Sequence, residues 1–238
     1  MRKFFLQLVL TLVSVASIAQ NIDLQEDTTA SNLYDSRQGS CALGDIDNDG
    51  DLDLIITGPD AGLANRKTTL YSNDGQGNFT EIIGTGLSIW SEFSDIAFAD
   101  VDGDSDQDLL ITGRDGSPNF YANFYLNDGS GNFTLDPSVP FEPSIEGDVE
   151  FEDVDNDGDP DLFMCGYAED GSGSPFLFSK LYLNSGSGVF TEVTSTPFIE
   201  GTSAAFLDMD NDNDMDLVVS GSTNNNGVMT TLYVNDGT

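Results

Sequence analysis

The chain has no histidine, only two cysteines, one tryptophan, and seven lysines and arginines in 238 residues. Without histidine there is no Ser-His-Asp triad and no imidazole metal site, which leaves carboxylate, lysine or tyrosine chemistry. Seven cations against 42 acidic residues give a formal charge of −35. Such a field makes nucleic acid and anionic membrane surfaces poor partners. Two cysteines at non-equivalent positions, Cys41 and Cys165, do not make a disulfide framework. No apolar run after the first twenty residues is long enough to span a bilayer.

Those first residues read as a processing signal. Arg2 and Lys3 precede an apolar run from Phe4 to Val15, and small residues end at Ser17-Ile18-Ala19. Residues 1–19 are therefore expected to be a signal peptide cleaved after Ala19, and the mature protein to be secreted or held at the cell surface. No cysteine stands at the cleavage point to accept a lipid. Hydrophobic residues make up 38% of the chain and include 16 phenylalanines, enough for a core and too many for an unfolded polyanion.

Nearly half the acidity is ordered into four ladders of alternating aspartates. They are Asp45, Asp47, Asp49, Asp51 and Asp53; Asp100, Asp102, Asp104, Asp106 and Asp108; Asp153, Asp155, Asp157, Asp159 and Asp161; and Asp208, Asp210, Asp212, Asp214 and Asp216. The ladders start 55, 53 and 55 residues apart. Carboxylates on every second residue repel one another unless a cation sits among them, and a hard cation with oxygen ligands fits. All twenty aspartates are candidate metal residues, for about four Ca2+ ions. Magnesium, which keeps its waters and demands octahedral geometry, suits such loops less well. An EF-hand is excluded at its twelfth position, which needs a bidentate glutamate and here holds Ile56, Ile111, Met164 and Val219. Gly50 and Gly158 at the sixth position permit the sharp turn that wraps chain around an ion, whereas Ser105 and Asn213 stand there in the other two loops. The second loop, with serine, is expected to be the weakest.

The flanks repeat as well. Before each ladder, Cys41 and Leu43, Ile96 and Phe98, Val149 and Phe151, and Ala204 and Phe206 alternate with other residues, which predicts a strand. This alignment makes Cys41 an expected small buried apolar residue. After each ladder a β-branched run closes on Gly58, Gly113, Gly166 or Gly221. A variable hairpin then leads to Leu70-Tyr71, Phe124-Tyr125, Leu181-Tyr182 or Leu232-Tyr233. An Asn-Asp-Gly or Asn-Ser-Gly turn follows, and a fourth strand opens at Phe79, Phe133 and Phe190. The expected fold is all-β, a β-propeller of four-stranded antiparallel blades. The array covers 20–238 in units of about 22–78, 79–132, 133–189 and 190–238. The fourth unit lacks its last strand, so an incomplete propeller is expected, with further repeats or domains C-terminal to it.

The ladder followed by a strand and then by L-Y-x-N-D-G-x-G-x-F-T resembles the FG-GAP and VCBS-type repeats of integrin-α-like propellers. The resemblance implies calcium loops in which side chains at positions one, three, five and nine coordinate together with the main-chain carbonyl of position seven. It also implies a module for adhesion or carbohydrate recognition, or an ancillary region of a larger secreted enzyme.

No carboxylate pair stands apart from the ladders, so no catalytic residue is assigned and the chain is not read as an enzyme. Of the five cations left after signal cleavage, Arg66, Lys67, Arg114 and Lys180 lie in or beside the variable hairpins, with Phe120, Tyr121, Tyr167, Phe176 and Phe178. That mixture suits a glycan or an extracellular protein ligand, against the plainer reading of local charge relief and packing. Trp90 reads as a blade-packing ring. Asn78-Phe79-Thr80 and Asn132-Phe133-Thr134 match glycosylation sequons, but both fall at the recurring turn, which explains them without a glycan. The leading functional reading is a secreted calcium-binding module for adhesion or ligand recognition. The alternative is an ancillary, non-catalytic domain of a polysaccharide-degrading enzyme.

Overall fold

Alternating apolar residues and Gly-containing turns fold into strands throughout the computed structural model, which describes residues 33–60, 62, 66–87, 91–115, 119–222 and 227–237. The signal-peptide reading of residues 1–19 and the ring of Trp90 lie outside those residues. Fifteen strands form four antiparallel sheets, and no helix occurs among the described residues. The first sheet is β1 (Cys41–Gly44), β2 (Asp53–Pro59), β3 (Arg66–Asn73) and β4 (Phe79–Ile82), in that order. The second is β5 (Ile96–Ala99), β6 (Asp108–Arg114), β7 (Phe120–Asn127) and β8 (Phe133–Asp136). The third is β9 (Val149–Glu152), β10 (Asp161–Glu169), β11 (Pro175–Asn184) and β12 (Phe190–Glu192). The fourth has three strands, β13 (Ser203–Leu207), β14 (Asp216–Ser222) and β15 (Val228–Tyr233). These are blades of an incomplete β-propeller. Phe79–Ile82, which opens the second sequence unit, pairs with β3 and closes the first blade.

The register places every ladder at the same point. Gly44 pairs with Asp53, Ala99 with Asp108, Glu152 with Asp161 and Leu207 with Asp216. Each ladder is thus the loop between the first two strands of its blade, closed at the base by its ninth residue.

Because side chains alternate across a strand, each blade offers one apolar face forward to the next blade and one backward. Ile46, Ile55 and Leu70 of the first blade pack on Ile96, Leu109, Ile111, Tyr125 and Phe133 of the second. Val101, Leu110 and Phe124 meet Val149, Leu162, Met164 and Tyr182 at the second junction. Phe163, Cys165 and Leu181 meet Ala204, Leu217 and Val219 at the third. Burying each large side chain fully contributes about 1.5–3 kcal/mol. Phe141, from the connector between the second and third blades, plugs their junction. Its ring lies 5.9 Å from Phe124, 5.3 Å from Tyr182 and 4.8 Å from Phe190, each edge to face.

Among the described residues the outer faces have no such cover. Ile46 is 0% exposed, but Met209, its counterpart in the fourth blade, is 44% exposed. Leu70 is 2% exposed and its counterpart Leu232 is 41% exposed. On the rear of the first blade Leu43 is 55% exposed, and Cys41 is exposed rather than buried as its alignment with Ile96 and Val149 predicts. Its counterparts are buried by the preceding blade, and no described sheet covers this one. Cys41 and Cys165 are both free thiols.

Candidate metal centres

Two residues per loop adopt the left-handed backbone conformation, and this bends each ladder off the path of a strand. At the sixth position Gly50, Ser105, Gly158 and Asn213 have φ of 91°, 76°, 96° and 73°. The same holds at the fourth position for Asn48, Gly103, Asn156 and Asn211, with φ of 59°, 76°, 60° and 63°. Asparagine and glycine are the residues that tolerate this region best, so the fourth position was as readable a signal as the sixth. Ser105 carries the least suitable side chain of the eight.

The bend turns main-chain N–H groups inward. Asp45 accepts from the N–H groups of Asp49 and Gly50, each at 3.1 Å, and Asp153 accepts from Asp157 at 3.1 Å and Gly158 at 3.0 Å. The ninth aspartate is buried in every loop. One oxygen of Asp53 accepts from Ile46 N–H at 3.2 Å, and the other from Asn73 N–H on the third strand at 2.8 Å. Asp108, Asp161 and Asp216 make the same two bonds to Val101 and Asn127, Val154 and Asn184, and Met209 and Asn235. The ninth residue therefore ties its loop to its blade.

Three carboxylates converge in each ladder. Asp45, Asp47 and Asp53, then Asp100, Asp102 and Asp108, then Asp153, Asp155 and Asp161 bring one oxygen each within 4.8 Å of one another. In the fourth loop the group is Asp208, Asp210 and Asp212, all exposed. The fifth-position residue of every loop accepts an N–H from the seventh, as Asp49 does from Asp51 at 2.9 Å and Asp212 from Asp214 at 3.0 Å. The seventh-position residues Asp51, Asp106, Asp159 and Asp214 stand outside the clusters. Their carboxylates lie against Gly75, Gly129, Gly186 and Gly237 of the turn after the third strand, where an added Cβ would come within 2.3–2.6 Å of an oxygen.

The converged oxygens suit a hard cation. Oδ1 of Asp47 is buried without a hydrogen-bond partner, an arrangement that costs free energy unless something positive faces it. Burial pushes the Asp108 carboxyl up to about 7 and that of Asp161 up to about 6, against the N–H bonds they accept, and repulsion from neighbouring aspartates adds to the rise. Burial and the charges of Asp104 and Asp100 raise Asp102, and Asp157 and Asp153 act likewise on Asp155. An all-oxygen set that destabilises its own charge is the donor chemistry calcium takes.

The FG-GAP-like repeat profile matches residues 45–111, 100–164 and 153–219, each match running from one ladder into the second strand of the next blade. The chain belongs to the FG-GAP-like repeat family. No curated protein matches its sequence. Among solved structures, an FG-GAP-like chain of this kind is similar to an Agrocybe aegerita lectin whose description is of specific recognition of non-reducing terminal N-acetylglucosamine. The identity is 17%, the TM-score 0.48, and the match covers 82% of this chain. This chain spans 52% of the lectin's length. A likeness that slight carries nothing about what the FG-GAP-like chain binds.

The hairpin cations are engaged in ion pairs. Arg66 and Arg114 both bond to Glu92, at 3.0 and 2.7 Å. Burial acts to raise the Glu92 carboxyl, but the two guanidinium groups outweigh it and hold it below its usual range. Lys67 pairs with Glu81 at 3.3 Å and sits 4.6 Å over the Tyr34 ring. Lys180 pairs with Glu142 at 2.8 Å and Glu192 at 3.3 Å. Tyr121 bonds to Ser91 at 2.6 Å, and Phe176 and Phe178 pack on the core between the second and third blades. Charge relief and packing account for most of this set. Three of its members, Phe176, Phe178 and Lys180, also line an open groove of 390 Å³ with Glu192, Pro197 and Phe198. At both sequons the asparagine amide is turned into its own turn, Asn78 to Asp74 at 2.7 Å and Asn132 to Asp128 at 3.0 Å.

Proposed function

We propose that the chain is a secreted calcium-binding propeller module that recognises a glycan or an extracellular protein, with calcium in a structural role. The observation that carries the calcium reading is the convergence of three aspartates in each of four loops at one place in the blade, with the buried Asp47 oxygen left without a partner. Asp45, Asp47 and Asp53 and their counterparts in the second and third loops, and Asp208, Asp210 and Asp212 in the fourth, would hold the ion, which would supply positive charge among them. The residues themselves position the loop, because the ninth aspartate already spans loop and third strand. With Kd of about 0.1 mM, roughly 2 mM calcium stabilises by about 1.8 kcal/mol per site. Four such sites give about 7 kcal/mol, comparable with the whole stability of a domain. The recognition half is supported by family membership and by the groove at Phe176, Lys180 and Phe198, where rings and fixed polar groups suit a sugar.

The test is thermal unfolding of the purified protein in EDTA and across a calcium titration, with bound ions counted by calorimetry. A large rise in midpoint with about four ions bound is expected. An unchanged midpoint with no ion bound would remove the calcium reading. Glycan-array screening in calcium then tests recognition, and binding that survives Lys180→Ala and Phe176→Ala would move the ligand away from the groove.

A further inference from the structure

We infer that the calcium sites are coupled in two pairs, first with second and third with fourth, through an asparagine of one loop that clasps an aspartate of the next. This rests on the calcium reading above and goes beyond it, because repetition of the loops alone implies four independent sites. Asn48 Nδ2 donates to Asp106 Oδ1 at 2.6 Å, and Asn156 Nδ2 donates to Asp214 Oδ1 at 2.6 Å. In both cases the fourth residue of one loop reaches the seventh residue of the following loop.

Each end of the clasp adjoins a candidate ligand set. Asn48 lies between Asp47 and Asp49, and the N–H of Asp49 bonds to Asp45, so closing the first loop on an ion fixes where the Asn48 amide points. Asp106 gives its own N–H to Asp104 Oδ1 at 3.0 Å and rests its carboxylate against Gly129. The resemblance assigns the main-chain carbonyl of that same residue to the second ion. Ordering Asp106 from the first loop therefore orders part of the second site before its ion arrives. A shared ordering cost of this kind is positive coupling, equal in both directions.

The middle junction is the internal control. There the fourth position is Gly103, with no side chain to reach Asp159, although Asp159 sits against Gly186 just as Asp106 sits against Gly129. One cross-blade bond type recurs at all three junctions, and the middle junction has in addition Gly188 N–H to Val101 O at 2.9 Å. Asn127, Asn184 and Asn235 each donate to the carbonyl of the preceding loop's second residue, at 2.8, 2.8 and 2.7 Å. Among the described side-chain bonds from one loop to the next, what the middle junction lacks is the clasp. It can be installed, because Gly103 has φ of 76°, close to that of Asn48, Asn156 and Asn211, and a Cβ there meets nothing within 4 Å.

The experiment is calorimetric titration of the EDTA-stripped protein with calcium chloride, comparing wild type, Asn48→Ala with Asn156→Ala, and Gly103→Asn. Wild type is expected to bind with a Hill slope above one. The double variant should approach a slope of one and lose about fivefold in affinity at the second ion of each pair, the low end of usual coupling. Gly103→Asn should steepen the slope, a gain that misfolding cannot imitate. Equal slopes in all three proteins with about four ions bound would overturn the coupling and leave the calcium reading standing. Absence of calcium binding in wild type would overturn both. Circular dichroism of each protein in EDTA and in calcium separates a lost clasp from a lost fold.

Discussion

The side-chain amide of Asn127 donates to the main-chain carbonyl of Ile46 at 2.8 Å, across the junction between the first and second blades. Its second hydrogen goes to Gln107 O at 3.2 Å within its own blade, and its main-chain N–H goes to Asp108. One asparagine thus joins two loops and a strand. Asn127→Ala leaves the buried Ile46 carbonyl without its donor and is expected to cost about 1–3 kcal/mol. Urea unfolding at fixed calcium measures it. Asn73, whose side-chain amide donates to Leu52 O and accepts from Gly75 and Gly77, all in its own blade and exposed, should cost less when changed to alanine.

The third and seventh positions of a loop hold the same residue type, yet the structure gives them different surroundings. Asp155 is one of the three converging carboxylates, and Asp159 lies against Gly186. Asp155→Asn should lower the calorimetric calcium count by about one. Asp159→Asn should leave that count unchanged. Equal losses from the two would mean that the seventh side chain also reaches the ion.

Metal-free protein should become less stable as pH rises through neutrality. Burial lifts the Asp108 carboxyl to about 7 and that of Asp161 to about 6, and it raises Asp53 as well. A carboxyl whose folded pKa exceeds its unfolded value of about 4 holds its proton more tightly when folded. Its stabilisation is full below about pH 4 and is lost as pH climbs through 6 to 7. Carboxyls held low, such as Glu92, titrate below that window. In EDTA the melting midpoint should therefore rise from pH 8 to pH 5. In saturating calcium the trend should reverse, because protons compete with the ion for the same oxygens.

The two thiols should react unequally. Cys41 is exposed, and Cys165 is buried with its thiol pushed up to about 12 by loss of solvent. A thiolate-specific reagent at pH 8 should modify one cysteine in the native protein and two in denaturant. Two fast equivalents in the native state would mean that the third blade opens.

Whatever repeats within one blade could be read from the chain. Period-two pairs such as Ile96 and Phe98 located first strands, the phenylalanines at 79, 133 and 190 opened the fourth strands, and the aspartate spacing located the loops. What lies between blades was harder to see. Asn48 and Asp106 are 58 residues apart and belong to different repeats, so no local pattern joins them. Phe141 and its counterpart Phe198 fall in connectors outside the strand pattern, although they fill the junctions beside Phe124 and Phe163. The hairpin cations stood out by their rarity, but Glu92, which holds two of them, lay in a stretch without periodicity. Cys41 matched its column and still came out exposed, because burial at that position is supplied by a neighbouring blade.

The three apolar junctions join each blade only to its immediate neighbours, so the molecule behaves as a short one-dimensional lattice. Stability in such a lattice is the sum of a term for each blade and a term for each junction. Among the described residues the outer blades have one junction apiece, and the fourth shows three strands. Unfolding should therefore proceed inward like a zipper opened from both ends, with amide exchange fastest in β1 and β15. The junction plugged by Phe141 should be the last to let go.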